Sequence, residues 1–436
     1  MKFHSTNRRT KNTSFHDVLL QGLASDGGLF MPDRVPHLPS RFISDLPKKT
    51  FHEIAYTVSR PYIDDIPPAK LKKIIRDSFD FPVPLRKIND RLFILELFHG
   101  PTLAFKDFGA RFMARLMGYY LGARKETLNI IVATSGDTGS AVAQGFYGVP
   151  HINVFVLYPR GRVTPIQERQ MATLGGNITA IAVKGSFDDC QRLAKAALAD
   201  PALREKVSLS SANSINFGRL LPQSFYYWYA YAQFVKRYGK KTASGVTMCV
   251  PSGNFGNLTG GILAQRMGMP VKQFVAATNA NDVVPRFLRG GKFVSRVSRK
   301  TISNAMDVGN PSNFARLMEL FHGKRSLMAR TIAGISISDV QTRRTITEIY
   351  RETGYIADPH TAVGITAAKH ISGMAPMIIA GTAHPAKFRE VVEPVIGKRV
   401  PLPAGLRAAA RKRPRSVQLR NDLAALRTIV LKKNNA

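Results

Sequence analysis

Residues 128–199 decide the fold class, because strand-like and helix-like segments alternate along them. LNIIVA (128–133) is a short apolar run, TSGDTG (134–139) is a turn, and SAVAQGFY (140–147) is a helical segment. The order repeats, with strands expected at 152–157 and 178–183 and helices at 167–174 and 187–199, the last capped by Ser186. Apolar strands alternating with helices predict an α/β fold, with a parallel sheet covered on both faces.

The same pattern returns later in the chain. Strands are expected at 246–250, 271–277 and 377–380, and a long helix at 216–238. A chain of 436 residues is expected to form two or more domains rather than one core. Residues 1–80 predict a mixed, mainly helical domain broken by turns and prolines.

One lysine stands at a loop-to-helix junction in HGPTLAFKDFG (99–109). Phe105, Phe108 and Phe112 recur at helical spacing, so a helix is expected to begin near Lys106 and to bury one face. Burial and the positive end of a helix dipole both disfavour the ammonium form. Lys106 is therefore a candidate Schiff-base nucleophile. The alternative is a lysine whose stem packs while its amine reaches water.

Three loops rich in hydrogen-bond donors precede helices. PSGNFGN (251–257) follows a strand, and its glycines allow close backbone approach to a phosphate at the next helix. TSGDTG (134–139) offers hydroxyl groups, and SANSINFGR (211–219) offers amide, hydroxyl and guanidinium donors. Each loop alone could be an ordinary turn or cap. Together with Lys106, they predict a site for at least two anionic groups, without a metal.

Composition limits the classes of protein. Cys190 and Cys249 are too few for a disulfide framework, which favours a reducing, cytoplasmic location, and no segment predicts a membrane span. The net charge of +34 is high enough for a nucleic-acid binder. However, the basic run at 398–420 contains no aromatic residue, and the run at 286–300 contains only Phe287 and Phe293, so aromatic residues for base stacking are sparse. A solvated basic surface is therefore favoured over nucleic-acid binding.

Five motifs together resemble threonine synthases of the bacterial and fungal type. They are FHGPTLAFKD (98–107), TSGDTG (134–139), NSINFGR (213–219), SGNFG (252–256) and TAHPAKF (382–388). The resemblance implies two doubly wound, mostly parallel-sheet domains of the tryptophan-synthase-β-like (fold-type II) pyridoxal-phosphate enzymes. It implies a large cofactor domain at 81–100 and 214–400, a small substrate domain at 101–213, and a basic C-terminal tail at 401–436.

The resemblance also implies residue roles. Lys106 would bind pyridoxal phosphate as a Schiff base and act as the catalytic residue. The other cofactor-binding residues would be Asp137, Gly253, Asn254, Phe255, Gly256, Asn257 and Thr382. Substrate would be bound by Thr134, Ser135, Thr138, Asn213, Ser214 and Arg219. Asn257 departs from the family pattern, which often has aspartate there.

The implied activity is a lyase reaction that converts O-phospho-L-homoserine and water to L-threonine and phosphate. A monomer or homodimer is expected, with a small-molecule substrate as its partner. The alternatives are another enzyme of the same fold type, such as a serine/threonine dehydratase, or a basic nucleic-acid-binding protein on a retired enzyme scaffold.

Overall fold

The computed structural model of the protein describes residues 1–122, 127–371, 373 and 375–434. The strands are β1 (Lys2–Ser5), β2 (Thr13–Ser14), β3 (Phe30–Pro32), β4 (Leu85–Lys87), β5 (Leu92–Glu96), β6 (Leu128–Ala133), β7 (Ile152–Pro159), β8 (Ile178–Val183), β9 (Ser208–Ser210), β10 (Thr247–Pro251), β11 (Gln273–Thr278), β12 (Ile332–Ser336), β13 (Met377–Gly381) and β14 (Val417–Leu419).

The α-helices are α1 (Phe15–Gln21), α2 (Ser40–Asp45), α3 (Phe51–Ser59), α4 (Pro68–Ser78), α5 (Lys106–Leu121), α6 (Asp137–Phe146), α7 (Pro165–Ala172), α8 (Phe187–Ala199), α9 (Pro201–Arg204), α10 (Phe217–Leu220), α11 (Pro222–Ala243), α12 (Gly256–Arg266), α13 (Val283–Leu288), α14 (Phe314–Leu320), α15 (Arg325–Thr331), α16 (Asp339–Thr353), α17 (Pro359–Lys369), α18 (Arg389–Ile396), α19 (Ala404–Ala410) and α20 (Leu423–Asn434). Short 3-10 helices cover Leu46–Lys48, Asn304–Met306 and Pro385–Phe388.

The first sheet contains five parallel strands in the order β14-β8-β7-β6-β9. Its central strands come from the alternating stretch, and their apolar side chains are buried on both faces. Ser186 caps α8 as predicted, because its Oγ accepts a hydrogen bond from the Asp189 N–H at 3.2 Å. The predicted parallel α/β architecture is therefore confirmed.

The second sheet contains six strands in the order β12-β11-β10-β13-β5-β4. Its strands are parallel except β4, which runs antiparallel to β5 at the edge. The expected strands at 246–250, 271–277 and 377–380 correspond to β10, β11 and β13. The helix expected at 216–238 divides into α10 and α11, with Pro222 as the first residue of α11.

The N-terminal segment combines helices α1–α4 with a small antiparallel sheet in the order β2-β1-β3. Phe3 of β1 is fully buried, and its ring centroid lies 5.0 Å from that of Phe217 in α10. The segment is therefore mixed, as predicted, and it packs against the helix that follows the third donor loop.

The C-terminal segment differs from the predicted tail. β14 pairs in parallel with β8 as the edge strand of the five-stranded sheet. Leu419, Leu426 and Val430 are buried in the same apolar cluster as Phe155 and Leu157 of β7. The buried positions could not be predicted from the sequence, because they are few, stand among many basic residues and form only a weak helical pattern. The domain limits themselves stay predictions.

Among the described residues, no helix combines the length and the apolar character that crossing a membrane requires.

Candidate active site

The carboxyl ends of parallel strands from both sheets lead into loops that line one cleft. β6 and β9 come from the five-stranded sheet, and β10 and β13 come from the six-stranded sheet. Open α/β sheets bind ligands at this edge. The cleft contains about 1230 Å³ of empty space, including the part open to solvent. The predicted site residues that line it are Lys106, Ser135, Asp137, Thr138, Asn213, Ser214, Arg219, Gly253, Asn254, Phe255, Gly256, Asn257 and Thr382.

Lys106 is the first residue of α5, and its half-buried side chain lines the cleft. The preceding loop is tied to the end of β13, because the Phe105 N–H donates to the Thr382 carbonyl at 2.9 Å. The pKa of the Lys106 amine is lowered to about 8, chiefly by burial; Asp137 opposes this lowering, and Arg219 and Lys387 add to it. An amine with a pKa near 8 can both accept and release a proton near neutral pH.

The glycine-rich loop after β10 forms a backbone cradle. A Cβ atom added to Gly253 would lie 2.6 Å from Met306 Cα, so only glycine allows this close approach. Phe255 adopts a left-handed conformation with φ of 60° immediately before α12. Among the described residues, the backbone N–H groups of 253–257 have no hydrogen-bond acceptor. This N-terminus of α12 is suited to a phosphate group.

The two asparagines of this loop hold it in place. Asn254 Nδ2 donates to Ser214 Oγ at 2.7 Å, and its Oδ1 accepts from the Ser312 N–H at 2.6 Å. Asn257 Nδ2 donates to the Pro251 carbonyl at 2.7 Å, and its Oδ1 accepts from the Leu258 N–H at 2.9 Å. The donors left for a ligand are therefore mainly those of the backbone.

The loop after β6 presents hydroxyl groups and one carboxylate. Thr134, unlike Ser135 and Thr138, is not among the residues that line the cleft. Its Oγ1 accepts hydrogen bonds from the N–H groups of Gly136 and Gly139 at 2.9 and 2.8 Å. Thr134 therefore shapes the loop, and its predicted contact with substrate stays a prediction.

Asp137 begins α6 and is almost fully buried. Gln167 Nε2 donates to Asp137 Oδ1 at 2.9 Å, and Lys387 Nζ lies 2.6 Å from the same oxygen. Burial alone would raise the pKa of Asp137, but Lys387 and Lys106 hold it well below its usual range. The carboxylate is therefore ionised.

The loop after β9 contains a buried cation. Arg219 is 3% exposed, and its Nη1 donates to the Ala212 carbonyl at 2.5 Å. Its buried Nε has no hydrogen-bond partner among the described residues. A Cβ atom added to Gly109 would lie 2.7 Å from this nitrogen, so Gly109 makes room for the guanidinium beside α5. Burial lowers the pKa of Arg219 to about 10, which leaves it charged at neutral pH.

Ser214 and Asn213 complete this loop. Ser214 Oγ accepts hydrogen bonds from Asn254 Nδ2 at 2.7 Å and Asn313 Nδ2 at 3.1 Å, so its own proton remains to be donated. Asn213 Nδ2 donates to the Ala133 carbonyl at 2.8 Å, which joins this loop to the end of β6. Arg219 thus provides a donor outside the cradle at α12, whereas Ser214 contacts that cradle through Asn254.

His360 and Lys387 are among the polar residues at the site that were absent from the sequence prediction. His360 lines the cleft, with Nδ1 2.8 Å from Asp358 Oδ1 and Nε2 accepting from the Ala305 N–H at 3.2 Å. Lys387 is fully buried behind Asp137. Lys387 stands within TAHPAKF, but no sequence pattern shows that its amine is buried.

The residues present fit pyridoxal phosphate. The cleft combines an amine of lowered pKa, a backbone cradle with unsatisfied N–H groups, and the nearby hydroxyl of Thr382. Thr382 follows β13 directly, and its side chain is 5% exposed. These groups match an aldehyde, a phosphate and a ring nitrogen respectively.

Three known families match successive, partly overlapping parts of the chain. Residues 2–79 match the family described as "Threonine synthase N terminus", and residues 361–430 match "Threonine synthase, C-terminal". Residues 80–378 match the family described as "Pyridoxal-phosphate dependent enzyme".

Individual relatives extend over the whole chain. Threonine synthase of Haemophilus influenzae is 43% identical, covering 99% of this chain and 100% of the relative. The crystal structure of threonine synthase from Escherichia coli has a TM-score of 0.93 and 41% identity, covering 99% of this chain and 100% of that one. The pyridoxal-phosphate-bound threonine synthase from Brucella melitensis has a TM-score of 0.92 and 36% identity, with 100% of both chains covered.

Proposed function

The chain belongs to the threonine synthase family of pyridoxal-phosphate-dependent enzymes, and on that premise we propose that it converts O-phospho-L-homoserine and water to L-threonine and phosphate. The main support for this substrate is the buried guanidinium of Arg219, which lies outside the cradle at α12 and whose Nε has no partner among the described residues. The cradle at α12 suits the phosphate of the cofactor. A substrate with its own phosphate accounts for a second set of donors in the same cleft.

Pyridoxal phosphate supplies an aldehyde that forms an imine with an amine and an aromatic ring that accepts electrons from substrate carbons. Lys106 Nζ would hold the cofactor, and Thr382 Oγ1 would hydrogen-bond its ring nitrogen. The N–H groups of 253–257 would bind its phosphate, with Asn254 and Asn257 maintaining the loop. Asp137 would lie near the ring hydroxyl.

Lys106 Nζ is the group suited to move protons. It would take the proton from substrate Cα and return it at a later step. The lowered pKa supports this role, because the amine can both accept and release a proton near neutral pH. In the balanced reaction, the Cγ–O bond to phosphate breaks, Cβ loses one proton and gains the hydroxyl of water, and the two protons released go to Cγ and to the departing phosphate.

Arg219 would stabilise the departing phosphate. Its guanidinium is almost fully buried, and Nε has no partner among the described residues. A charged hydrogen bond in such a site is stronger than one exposed to water. Ser214 and Asn213 would assist from the same loop, and Thr138 from α6. Ser135 and Thr134 would serve the substrate carboxylate.

Product analysis tests the proposal. Purified enzyme with pyridoxal phosphate is given O-phospho-L-homoserine, and threonine and inorganic phosphate are measured. We expect equal amounts of the two products. In parallel, L-serine and L-threonine are offered and 2-oxo acids are measured. Efficient 2-oxo acid formation without threonine synthesis would refute the proposal in favour of a dehydratase.

We also propose that the enzyme works in the cytoplasm as a monomer or homodimer on a small-molecule substrate, without nucleic acid. The support for a reducing compartment is that Cys190 and Cys249 are both buried and free.

A further inference from the structure

Lys387 forms a buried ion pair across the two sheets. It belongs to the 3-10 helix Pro385–Phe388, which follows β13 of the six-stranded sheet. Its partner Asp137 begins α6, which follows β6 of the five-stranded sheet. The side chain of Lys387 is 0% exposed, its Nζ lies 2.6 Å from Asp137 Oδ1, and it donates to the Thr102 carbonyl at 2.9 Å.

Several other charged or titratable side chains lie around the Lys387–Asp137 ion pair. The charged and titratable groups around it are Lys106 and Asp107 on α5, Arg219 on α10, His360 on α17, and His384 at the start of the 3-10 helix. Asp107 is engaged by the Thr102 N–H and hydroxyl at 2.9 and 2.6 Å. His360 is engaged by Asp358 and the Ala305 N–H.

Asp137 is the anion that most directly favours a charged Lys106. Among the described residues, no ion pair joins these two side chains, whereas Lys387 Nζ and Gln167 Nε2 both contact Asp137 Oδ1. Lys387 therefore competes with the Lys106 ammonium for this carboxylate, and its own charge also disfavours a second cation nearby.

We propose that Lys387 is a positioning residue, which holds the Asp137 carboxylate in an ion pair of its own and so leaves Lys106 with a free amine. The importance of this role for catalysis rests on the proposed function. The effect of Lys387 on the protonation of the Lys106 amine can nevertheless be measured without cofactor or substrate. It explains why a buried lysine stands behind Asp137, where a hydrophobic residue would be easier to bury.

The test follows Lys106 in the apoprotein. Trinitrobenzenesulfonate reacts with unprotonated amines, so its rate at Lys106 is measured from pH 6 to 11 by mass spectrometry of the peptide. Lys387→Met removes the charge and keeps a linear side chain. We expect the midpoint of Lys106 reactivity to rise by at least about one pH unit. Lys398→Met, an exposed lysine to methionine change, is the matched control and should leave the midpoint unchanged.

Further variants test whether Lys387 acts on Lys106 through the Asp137 carboxylate. Asp137→Asn should lower the midpoint, because Lys106 then faces Lys387 and Arg219 without the carboxylate. In the Asp137→Asn background, Lys387→Met should raise the midpoint less than it does in the wild type, because Lys387 then has no carboxylate to hold. If Lys387→Met does not fold, Lys387→Gln, which keeps a hydrogen-bond donor for Asp137 without the charge, takes its place in the test.

An unchanged midpoint in Lys387→Met, or a shift of equal size in the wild-type and Asp137→Asn backgrounds, would overturn the proposal. If neither Lys387 variant folds, the proposal is also overturned, because Lys387 would then be needed for the packing of the folded protein. Threonine formation by the wild-type enzyme is measured separately. A failure of that assay would reject the proposed reaction and leave the result of the amine titration standing.

Discussion

Replacement of Arg219 by methionine should lower kcat/KM for O-phospho-L-homoserine by roughly 10- to 150-fold. The guanidinium is 3% exposed, and its Nε has no partner among the described residues. A hydrogen bond to a charged group contributes about 1.5–3 kcal/mol. Since about 1.4 kcal/mol corresponds to a tenfold change in rate, the loss of one such bond accounts for this range.

The same change should have a small effect on folding and on cofactor binding. Arg219 loses a charge-assisted bond to the Ala212 carbonyl, worth about 1.5–3 kcal/mol, and this loss is partly offset because a neutral side chain avoids the cost of burying a charge. Methionine retains much of the packing of the arginine stem. The loop itself stays anchored, because Asn216 Nδ2 donates to the Leu19 carbonyl at 2.8 Å. The cradle at α12 is unchanged, so the cofactor should be retained.

The assay measures phosphate release in the steady state and cofactor content by absorbance. Arg289→Met is the matched control, because Arg289 is exposed and lies away from the cleft-lining residues. Wild-type kcat/KM in Arg219→Met would refute the assignment of the substrate phosphate. Loss of cofactor with normal substrate affinity after reconstitution would show that the two phosphate sites have been exchanged.

The other predictions concern the lysine, the ring contact and the C-terminal segment. Lys106→Ala should abolish threonine formation while the protein stays folded; turnover without added amines, with circular dichroism as the folding check, would contradict this. In wild-type apoprotein, the rate of pyridoxal phosphate uptake should rise with pH through about 8 and then level off, because only the unprotonated Lys106 amine attacks. The rate is followed by absorbance, and a rate independent of pH would contradict the lowered pKa of Lys106. Thr382→Val should keep the cofactor and lower kcat, and wild-type kinetics with an unchanged spectrum would show that the hydroxyl does not reach the ring. Deleting residues 415–436 should lower Tm by more than about 5 °C in a thermal melt, because Leu419, Leu426 and Val430 are buried; an unchanged Tm would mean that β14 and α20 add no stability.

Local sequence patterns predicted the elements that position the site. The strands at 128–133 and 178–183 and the helix at 187–199 coincide with β6, β8 and α8. These segments are predictable because the apolar period and the cap at Ser186 are local properties of the chain. The helix that begins at Lys106 was predictable for the same reason.

Sequence by itself therefore determined the α/β class, the family motifs and the donor-rich loops, since each depends on neighbouring residues. Only the tertiary structure decided which side chains meet. Lys387 lies 250 positions after Asp137, and their ion pair forms because β6 and β13 end at the same cleft. Likewise, β14 joins β8 across more than 200 residues, and the basic composition of its segment masks the few positions that become buried. Contacts between distant segments depend on how the sheets assemble, and burial then sets the charge state of each buried group.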